Sequence, residues 1–148
     1  MNFRKATKAD VPHIVRMLAN DPLGALREDL KHFSIYEKAF ELISKDEHQE
    51  LMVAESDDGE VIGTFHLTFI QYLTHQGSIR AQIESVRVRE DHRGKGIGEK
   101  MFTWAIQRAK DKGANLVQLT SDKKRPDAIR FYERLGFVAS HEGFKLFI

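Results

Sequence analysis

A run of glycines between basic residues is the part of this sequence best suited to bind an anion. Residues 93 to 98 read RGKGIG, where a predicted strand gives way to a predicted helix. The first turn of a helix exposes unpaired N–H groups and carries a partial positive charge, so it attracts phosphate. The glycines have no side chains to hold a ligand away from the backbone, and the basic residues add charge. A flexible glycine turn is the alternative. The residues concerned are Arg93, Gly94, Lys95, Gly96 and Gly98.

The glycine spacing excludes two common phosphate-binding templates. A Walker loop requires four residues between its first glycine and a Gly-Lys-Ser/Thr, and none occurs in this chain. The dinucleotide fingerprint requires G-x-G-x-x-G, whereas this stretch reads G-x-G-x-G and continues with Glu99. A different class of phosphate ligand is therefore expected.

Changes in hydrophobic period predict the elements that position this stretch. Apolar spacings of three and four residues predict helices over 11–18 and 35–45, and alternation predicts strands at 50–56 and 61–70 joined by a tight turn at DDG. The other predicted elements are strands at 2–7, 83–90, 115–120 and 144–148, and helices over 97–112 and 126–136. An antiparallel meander followed by alternating strands and helices predicts a mixed α/β sheet.

Composition excludes several classes of function. A length of 148 residues predicts one domain, 1–148. The net charge of +1 offers no overall field for a nucleic acid. No segment approaches the roughly 20 apolar residues of a membrane span, and no secretory leader is present, so we expect a cytoplasmic protein without a membrane partner. The chain has no Cys, which excludes disulfides, thiolate metal sites and a cysteine-bound intermediate.

Three segments together resemble the GNAT superfamily of acyl-CoA N-acyltransferases. Arg93, Gly96 and Gly98 match its pyrophosphate signature R-x-x-G-x-G/A, while IESVRV is similar to its fourth strand and DAIRFYERLGF to its late helix. The resemblance implies a mixed, mostly antiparallel sheet splayed between strands 4 and 5 and flanked by helices, with acetyl-CoA as the cofactor. It implies an N-acetyltransferase domain over the whole chain.

The same resemblance implies where the cofactor is held. The backbone near Val86 and Val88 would pair with pantetheine, and the amides of residues 94–99 would hold the pyrophosphate. Many family members carry an Asn where Asp122 stands; an ionised Asp cannot donate a hydrogen bond, so one cofactor contact is expected to differ. The candidate cofactor-binding residues are Val86, Arg87, Val88, Arg93, Gly94, Lys95, Gly96, Ile97, Gly98, Glu99, Asp122, Ala128 and Phe131.

Glu84 and Tyr132 are the candidate catalytic residues. Acylation of an amine needs a base for the ammonium proton and, preferably, a donor for the leaving thiolate. Strand alternation predicts that Glu84 shares the apolar face of Val86 and Val88, opposite Arg87, where desolvation makes a carboxylate a better base.

Each catalytic candidate has a structural alternative. Glu84 would instead form an ion pair with a neighbour such as Arg80, and Tyr132 would be a core residue of the late helix. The resemblance implies the catalytic role for both, with Tyr132 near the thioester sulfur. Because the chain has no thiol to carry the acyl group, direct attack in a ternary complex is expected.

The substrate is indicated only by a second resemblance. SDKKRPDAIRFY, together with HLTFIQYLTHQG, is similar to aminoalkylphosphonate acetyltransferases, in which case Lys123, Lys124 and Arg125 would meet an anionic substrate. A solvated basic loop is the alternative. His66 and His75 fall near the expected substrate side, but no histidine or carboxylate spacing predicts a metal site.

The sequence therefore predicts an acetyl-CoA-dependent N-acetyltransferase that acts on the primary amine of a small molecule. Two alternatives stay open: a transferase acting on a protein or peptide N-terminus, and a non-catalytic regulatory domain that binds acyl-CoA. The amine itself, the acyl-chain preference and the oligomeric state, a homodimer included, are left open.

Overall fold

One mixed sheet of five strands organises the chain. The computed structural model describes residues 1–148. The first four strands are antiparallel neighbours and the fifth is parallel to the fourth, so the predicted fold class is confirmed. The strands are β1 Asn2–Lys5, β2 Gln49–Glu55, β3 Val61–Gln71, β4 Ile79–Val88 and β5 Leu116–Gln118. The helices are α1 Val11–Ala19, α2 Ser34–Lys45, the single turn α3 Thr74–Gly77, α4 Ile97–Asp111 and α5 Pro126–Arg134.

Helices α1 and α4 pack on the sheet because each carries an apolar stripe. Pro12 lies in the first turn of α1, where its missing N–H costs no helical hydrogen bond. On the α4 side, the Phe65 ring of β3 contacts Phe3 at 6.1 Å and Trp104 at 5.7 Å between centroids. The buried stripes are Val11, Ile14 and Val15 in α1 and Ile97, Met101, Phe102, Ala105 and Ala109 in α4.

A buried carboxylate connects β2 to α4. Glu50 is 1% exposed and accepts hydrogen bonds from Arg108 Nε at 2.9 Å and Nη2 at 2.6 Å. The ammonium groups of Lys5 and Lys112 lie 3.7 and 3.6 Å from its Oε1. The Arg108 bonds outweigh the effect of burial and lower the pKa of Glu50 below its usual value. Such a carboxylate remains charged and stabilises the fold only while its cations are present.

Four predicted strands differ from the structure. β1 ends at Lys5, short of the predicted 7. β4 begins four residues before the predicted start at 83, because Arg80, Ala81 and Gln82 pair with β3 on one side and β5 on the other. β5 ends at Gln118, short of the predicted 120.

The predicted strand over residues 144–148 is wrong. No residue in 119–148 pairs with another strand, and a strand needs a neighbour to bond its backbone N–H and C=O groups. The segment FKLFI also breaks strict alternation, since its last three residues are all apolar.

The chain divides into two compact units. Met1–Gln118 contains the whole sheet with α1 to α4, and Leu119–Ile148 contains α5. None of the helices combines the length and the apolar composition that crossing a lipid bilayer requires.

Candidate active site

The loop between β4 and α4 keeps its backbone open. Gly94 and Gly96 have φ angles of 76° and 74°, in the left-handed region that glycine adopts without strain. A Cβ atom on either glycine would meet no other atom within 4 Å. The side of the loop on which a Cβ of Gly94 or Gly96 would lie is therefore open within that distance.

The amides at the start of α4 are available to a ligand. The first helical bond runs from the Lys100 N–H to the Gly96 carbonyl oxygen at 3.2 Å, and the N–H groups of residues 94–99 donate to no acceptor in the protein. Gly96 is the N-cap and has no side chain to cap the helix. Unpaired N–H groups and the helix dipole attract anions at such a position. The geometry therefore suits the predicted anion site.

The two basic side chains of this loop differ in their contacts. Arg93 Nε donates to the Val88 carbonyl oxygen at 3.1 Å, and Nη2 donates to that of Asn20 at 2.9 Å. The Arg93 guanidinium therefore joins the loop to the ends of β4 and α1. Lys95 is exposed and forms no ion pair, so its charge is free to meet an anion beside the amides.

A β-bulge in β4 changes which side chains share a face. Ser85 has a φ angle of 54°, and the pairing with β3 shifts between His66, opposite Glu84, and Thr64, opposite Arg87. Paired residues project from the same face, and so do residues two apart on one strand. Glu84 and Arg87 therefore lie on one face.

The predicted placement of Glu84 is wrong for this reason. Val88 pairs with Gly63 and lies on the opposite face from Glu84, not on the same face. The bulge inserts one residue into β4 and so reverses the alternation beyond it.

Arg87 forms a link between β4 and the segment after α1. Its Nη2 lies 2.9 Å from Asp21 Oδ2, and both side chains are less than one-fifth exposed. Asp21 Oδ1 accepts the N–H groups of Leu23 and Gly24 at 2.9 and 2.7 Å, while Arg87 Nη1 donates to the Val86 carbonyl oxygen. Arg87 therefore holds the loop after α1 against the bulged part of β4.

Glu84 lies in polar surroundings. Its side chain is exposed, and Oε1 accepts a hydrogen bond from Gln82 Nε2 at 2.6 Å. Gln82 Oε1 accepts in turn from Gln118 Nε2 at 3.0 Å. The alternative ion pair is absent, since the Arg80 guanidinium lies 4.5 Å above the Tyr72 ring instead. The expected apolar environment is therefore replaced by a chain of amides that ends on the carboxylate.

His66 is the cross-strand neighbour of Glu84 on β3. Its Nε2 atom is buried and has no hydrogen-bond partner. Burial lowers the pKa of His66, and the nearby charge of Glu84 opposes that shift only in part. The imidazole is therefore neutral at neutral pH. No three His, Asp or Glu side chains lie close enough together to hold a metal ion.

β5 pairs with only a short part of β4. Their parallel pairing runs only from Arg80 opposite Leu116 to Gln82 opposite Gln118, whereas β4 continues to Val88. Beyond Gln82, no strand pairs with the β5 side of β4. The edge of β4 beyond Gln82 is therefore unpaired, directly beside Glu84, where the sequence predicts the splay.

Ala128 and Phe131, two of the predicted cofactor-binding residues, lie on α5 in the second unit, and so does Tyr132. Tyr132 is half-buried, with ring centroids 5.6 Å from Phe131 and 6.3 Å from Phe137. Ala128, one helical turn earlier, is also half-buried. The roles assigned to Tyr132, Phe131 and Ala128 remain predictions.

Asp122 and the basic loop precede α5. Asp122 Oδ1 accepts the Lys124 N–H at 2.9 Å, and the Arg125 N–H donates to the Asp122 carbonyl oxygen at 3.0 Å, so this residue shapes the turn into the helix. Lys123 lies 2.7 Å from Glu142 across an exposed ion pair. Lys124 and Arg125 are exposed, as both the anion-binding and the solvated interpretations require.

Sequence reasoning missed several residues of this site. Gln82 and Gln118 contact each other only because β4 and β5 are parallel in this register, which no local pattern reveals. Ser85 carries no signal for a positive φ, since that region favours Gly, Asn and Asp. The only available signal was two polar residues at alternate positions, Gln82 and Glu84, on one strand.

The structure combines a mixed sheet, in which β4 continues past the end of β5, with a glycine-rich helix start. The resemblance to acyl-CoA-dependent acyltransferases implies this architecture. The model of the Acetyltransferase (GNAT) family matches residues 15–137, and the chain belongs to this family. The predicted family is confirmed. Members of this family use acetyl-CoA as the acyl donor.

Two known proteins similar to this chain have different functional descriptions, one as an enzyme and one as a regulator. The aminoalkylphosphonate N-acetyltransferase of Salmonella typhimurium is 37% identical over 84 residues, which are 57% of this chain and 54% of that protein. The match therefore spans about half the length of that relative. A solved structure from Bacillus halodurans C-125, described as a transcriptional regulator, is 50% identical, covers 99% of both chains and has a TM-score of 0.94.

A more distant solved structure includes the acyl donor. It is described as a predicted acetyltransferase with acetyl-CoA from Clostridium acetobutylicum, and is 21% identical with a TM-score of 0.75 over 98% of this chain and 94% of its own. At that identity the likeness concerns the fold alone.

Proposed function

We propose that this protein is an acetyl-CoA-dependent N-acetyltransferase that acetylates the primary amine of a small molecule by direct attack in a ternary complex. The observation that carries the proposal is the row of N–H groups at residues 94–99, which have no acceptor in the protein, in a loop where a Cβ at Gly94 or Gly96 would meet no atom within 4 Å. A diphosphate offers negatively charged oxygen acceptors that match such a row, and Lys95 adds a positive charge beside it.

The free edge of β4 would hold the rest of the cofactor. Beyond Gln82 this edge carries backbone groups that no strand uses, and an extended pantetheine arm pairs with backbone in the manner of a strand. The family resemblance assigns this contact to Val86 and Val88. An arm held there would run towards Glu84.

The chemistry then falls to residues of this chain. Acetyl-CoA supplies an acyl carbon already activated as a thioester. Glu84 Oε2 accepts no hydrogen bond from the protein and would take a proton from the ammonium group of the substrate, directly or through water. Tyr132 would donate a proton to the departing sulfur, as the resemblance implies. With no Cys in the chain, no acyl-enzyme through a thiol is formed.

The substrate class in this proposal is an amine with an anionic group. The support is the exposed pair Lys124 and Arg125, together with the similarity to a relative whose name is aminoalkylphosphonate N-acetyltransferase. Cations on a surface loop attract anionic substrates at low ionic strength and less so at high salt.

A second candidate function is a regulatory domain that binds acyl-CoA without turnover. It is favoured by the 50% identity with the protein described as a transcriptional regulator. Both candidates require acetyl-CoA to bind, so binding alone does not distinguish them. Turnover with an amine does.

The test is release of free CoA from acetyl-CoA in the presence of an amine panel. The panel contains an aminoalkylphosphonate, an amino acid, an amino-sugar phosphate and a short peptide with a free N-terminus. We expect turnover with the aminoalkylphosphonate and a rise in its KM at high salt. Binding of acetyl-CoA without CoA release for any amine would favour the regulatory function, and turnover of the peptide alone would contradict the substrate class.

The base assignment is tested with two matched substitutions. Glu84→Gln keeps the size of the side chain and should lower kcat roughly 100-fold or more, because a general base contributes about that much. Glu47→Gln removes an exposed carboxylate outside the site and should leave kcat unchanged. A Glu84→Gln enzyme as fast as the wild type at every pH would show that another group takes the proton.

A further inference from the structure

We propose that Gln82 is a positioning residue that fixes the Glu84 carboxylate, and that Gln118 supports the Gln82 side chain through a second hydrogen bond. This inference rests on the proposed function, because it concerns the base of that reaction. Neither glutamine matches a catalytic pattern in the sequence.

The two hydrogen bonds have a defined direction. Gln82 Nε2 donates to Glu84 Oε1 at 2.6 Å, and Gln82 Oε1 accepts from Gln118 Nε2 at 3.0 Å. A reversed Gln82 amide would set its oxygen against the carboxylate and its NH2 against the NH2 of Gln118. The first contact would be repulsive whatever Gln118 does, because an ionised carboxylate only accepts, so Glu84 itself selects the orientation in which Gln82 donates. Gln118 then adds a second hydrogen bond, at the oxygen of the Gln82 amide.

The positions follow from the strand register. Gln82 lies two residues before Glu84 on the same face of β4, and Gln118 is its parallel partner on β5. Gln118 is the last residue of β5, and the two strands share no further pair. Gln82 and Gln118 therefore form the last paired position between β4 and β5, and Glu84 is the next side chain on this face of β4.

An exposed glutamate needs such a restraint to act as a base. The Glu84 side chain has several rotamers in solvent, and only some of them would direct a carboxylate oxygen at a substrate in the opening. The bond at Oε1 holds one oxygen and leaves Oε2 free to accept a proton. Positioning of this kind affects kcat strongly, since small displacements of a reacting group reduce the rate many-fold.

The first test compares kcat and KM in variants. Gln82→Met keeps the length of the side chain and removes the bond to Glu84, so kcat should fall roughly 10- to 100-fold with little change in the KM for the amine. Gln118→Met removes the bond at the Gln82 amide oxygen but keeps the bond to Glu84, so it should lower kcat much less than Gln82→Met does. Gln71→Met is the matched control on β3, because Gln71 bonds only to the turn at 72–78, and it should leave kcat unchanged.

A double-mutant cycle distinguishes positioning from a general structural effect. In a Glu84→Gln background, Gln82→Met should cause no further loss of kcat, because the group that it positions is already gone. An equal loss in both backgrounds would overturn the inference. An unchanged kcat for Gln82→Met in the wild-type background, with wild-type turnover intact, would overturn it as well.

The second test does not depend on turnover. In ¹⁵N-edited NMR spectra of the free protein, the Gln82 NH2 proton that faces Glu84 should lie downfield of its position in a solvated glutamine and should exchange slowly with water, and Glu84→Gln should move it. Two NH2 signals at the positions and exchange rates of a solvated glutamine would overturn the inference. If the signals behave as expected but no amine is acetylated, the proposed function fails and the positioning role fails with it.

Discussion

Replacing Gly96 by Ala should separate binding of acetyl-CoA from folding, with Gly113→Ala as its control. The two glycines flank the same helix, α4, and have φ angles of 74° and 77°. Neither would bring a Cβ within 4 Å of another atom. Both substitutions therefore impose the same backbone strain and no steric clash, so any difference between them reports on the ligand.

The magnitudes follow from these two facts. An L-residue in the left-handed region costs about 1–2 kcal/mol, and about 2–4 °C of Tm are lost per kcal/mol in a protein of this size. Both variants should therefore melt about 2–8 °C below the wild type without ligand. Of the two added methyl groups, only the one at residue 96 would face the predicted diphosphate. Losing one charge-assisted hydrogen bond there costs about 1.5–3 kcal/mol, or roughly 10- to 100-fold in Kd.

Isothermal titration calorimetry measures the Kd values, and thermal melts measure the unliganded stability. The expected result is equal Tm losses with weakened acetyl-CoA binding in Gly96→Ala alone. Equal acetyl-CoA affinities for the two variants would refute the assignment of the loop. A Gly96→Ala protein that does not fold beside a folded Gly113→Ala protein would refute the reasoning about equal strain.

Three further predictions concern the charged groups of the fold. Arg108→Met leaves Glu50 buried with only the ammonium groups of Lys5 and Lys112, at 3.7 and 3.6 Å, and without its two short hydrogen bonds. The free energy of unfolding in urea titrations should fall by about 3 kcal/mol. A loss below about 1 kcal/mol would show that the two lysines suffice. His66 has a lowered pKa, so protonation favours the unfolded state, and stability should fall as the pH drops below the usual histidine value. The His66→Gln variant should lose less stability than the wild type between pH 7 and 5. Equal losses would contradict the burial of the His66 imidazole. Burial opposes ionisation of Asp10, but hydrogen bonds from Arg4 and from the Thr7 backbone and hydroxyl lower its pKa to about 2. About 2 kcal/mol of stability, present above pH 4, should therefore be lost as the pH falls towards 2. The Tm of the Asp10→Asn variant should depend less on pH than that of the wild type over this acidic range.

The open backbone of the loop at residues 93–98 was predictable from the sequence because its determinants are local. A helix start, glycines with positive φ and an absent cap depend on residues that are neighbours in the chain, and all three are legible in RGKGIG. The contacts of Arg93 were not predicted: its guanidinium donates hydrogen bonds to two carbonyl oxygens, one of them that of Asn20, far away in the sequence. A contact of that kind depends on how α1 packs beside β4.

The environment of Glu84 was not predictable for the opposite reason. Strict alternation places Glu84 with Val88, but the bulge at Ser85 shifts the faces by one residue. A serine with a positive φ is held there by the surrounding sheet and not by its own preference. The amide chain from Gln118 also requires the register between β4 and β5, which the sequence does not specify.

The closing strand shows a third kind of limit. Residues 144–148 are apolar enough to suggest a strand, yet apolar residues form one only where a neighbouring strand has free backbone groups for them. In contrast, β2 and β3 were correctly predicted, because the turn between them brings two alternating segments together locally.

The most direct measurement of the central claim is the amide response of residues 94–99 to acetyl-CoA. In ¹H–¹⁵N NMR spectra, the N–H signals of these residues should shift downfield and exchange more slowly with solvent on titration, because each amide gains a phosphate acceptor that it lacks in the free protein. If acetyl-CoA binds while these signals stay in place and residues elsewhere shift, the diphosphate is held elsewhere and the account is wrong.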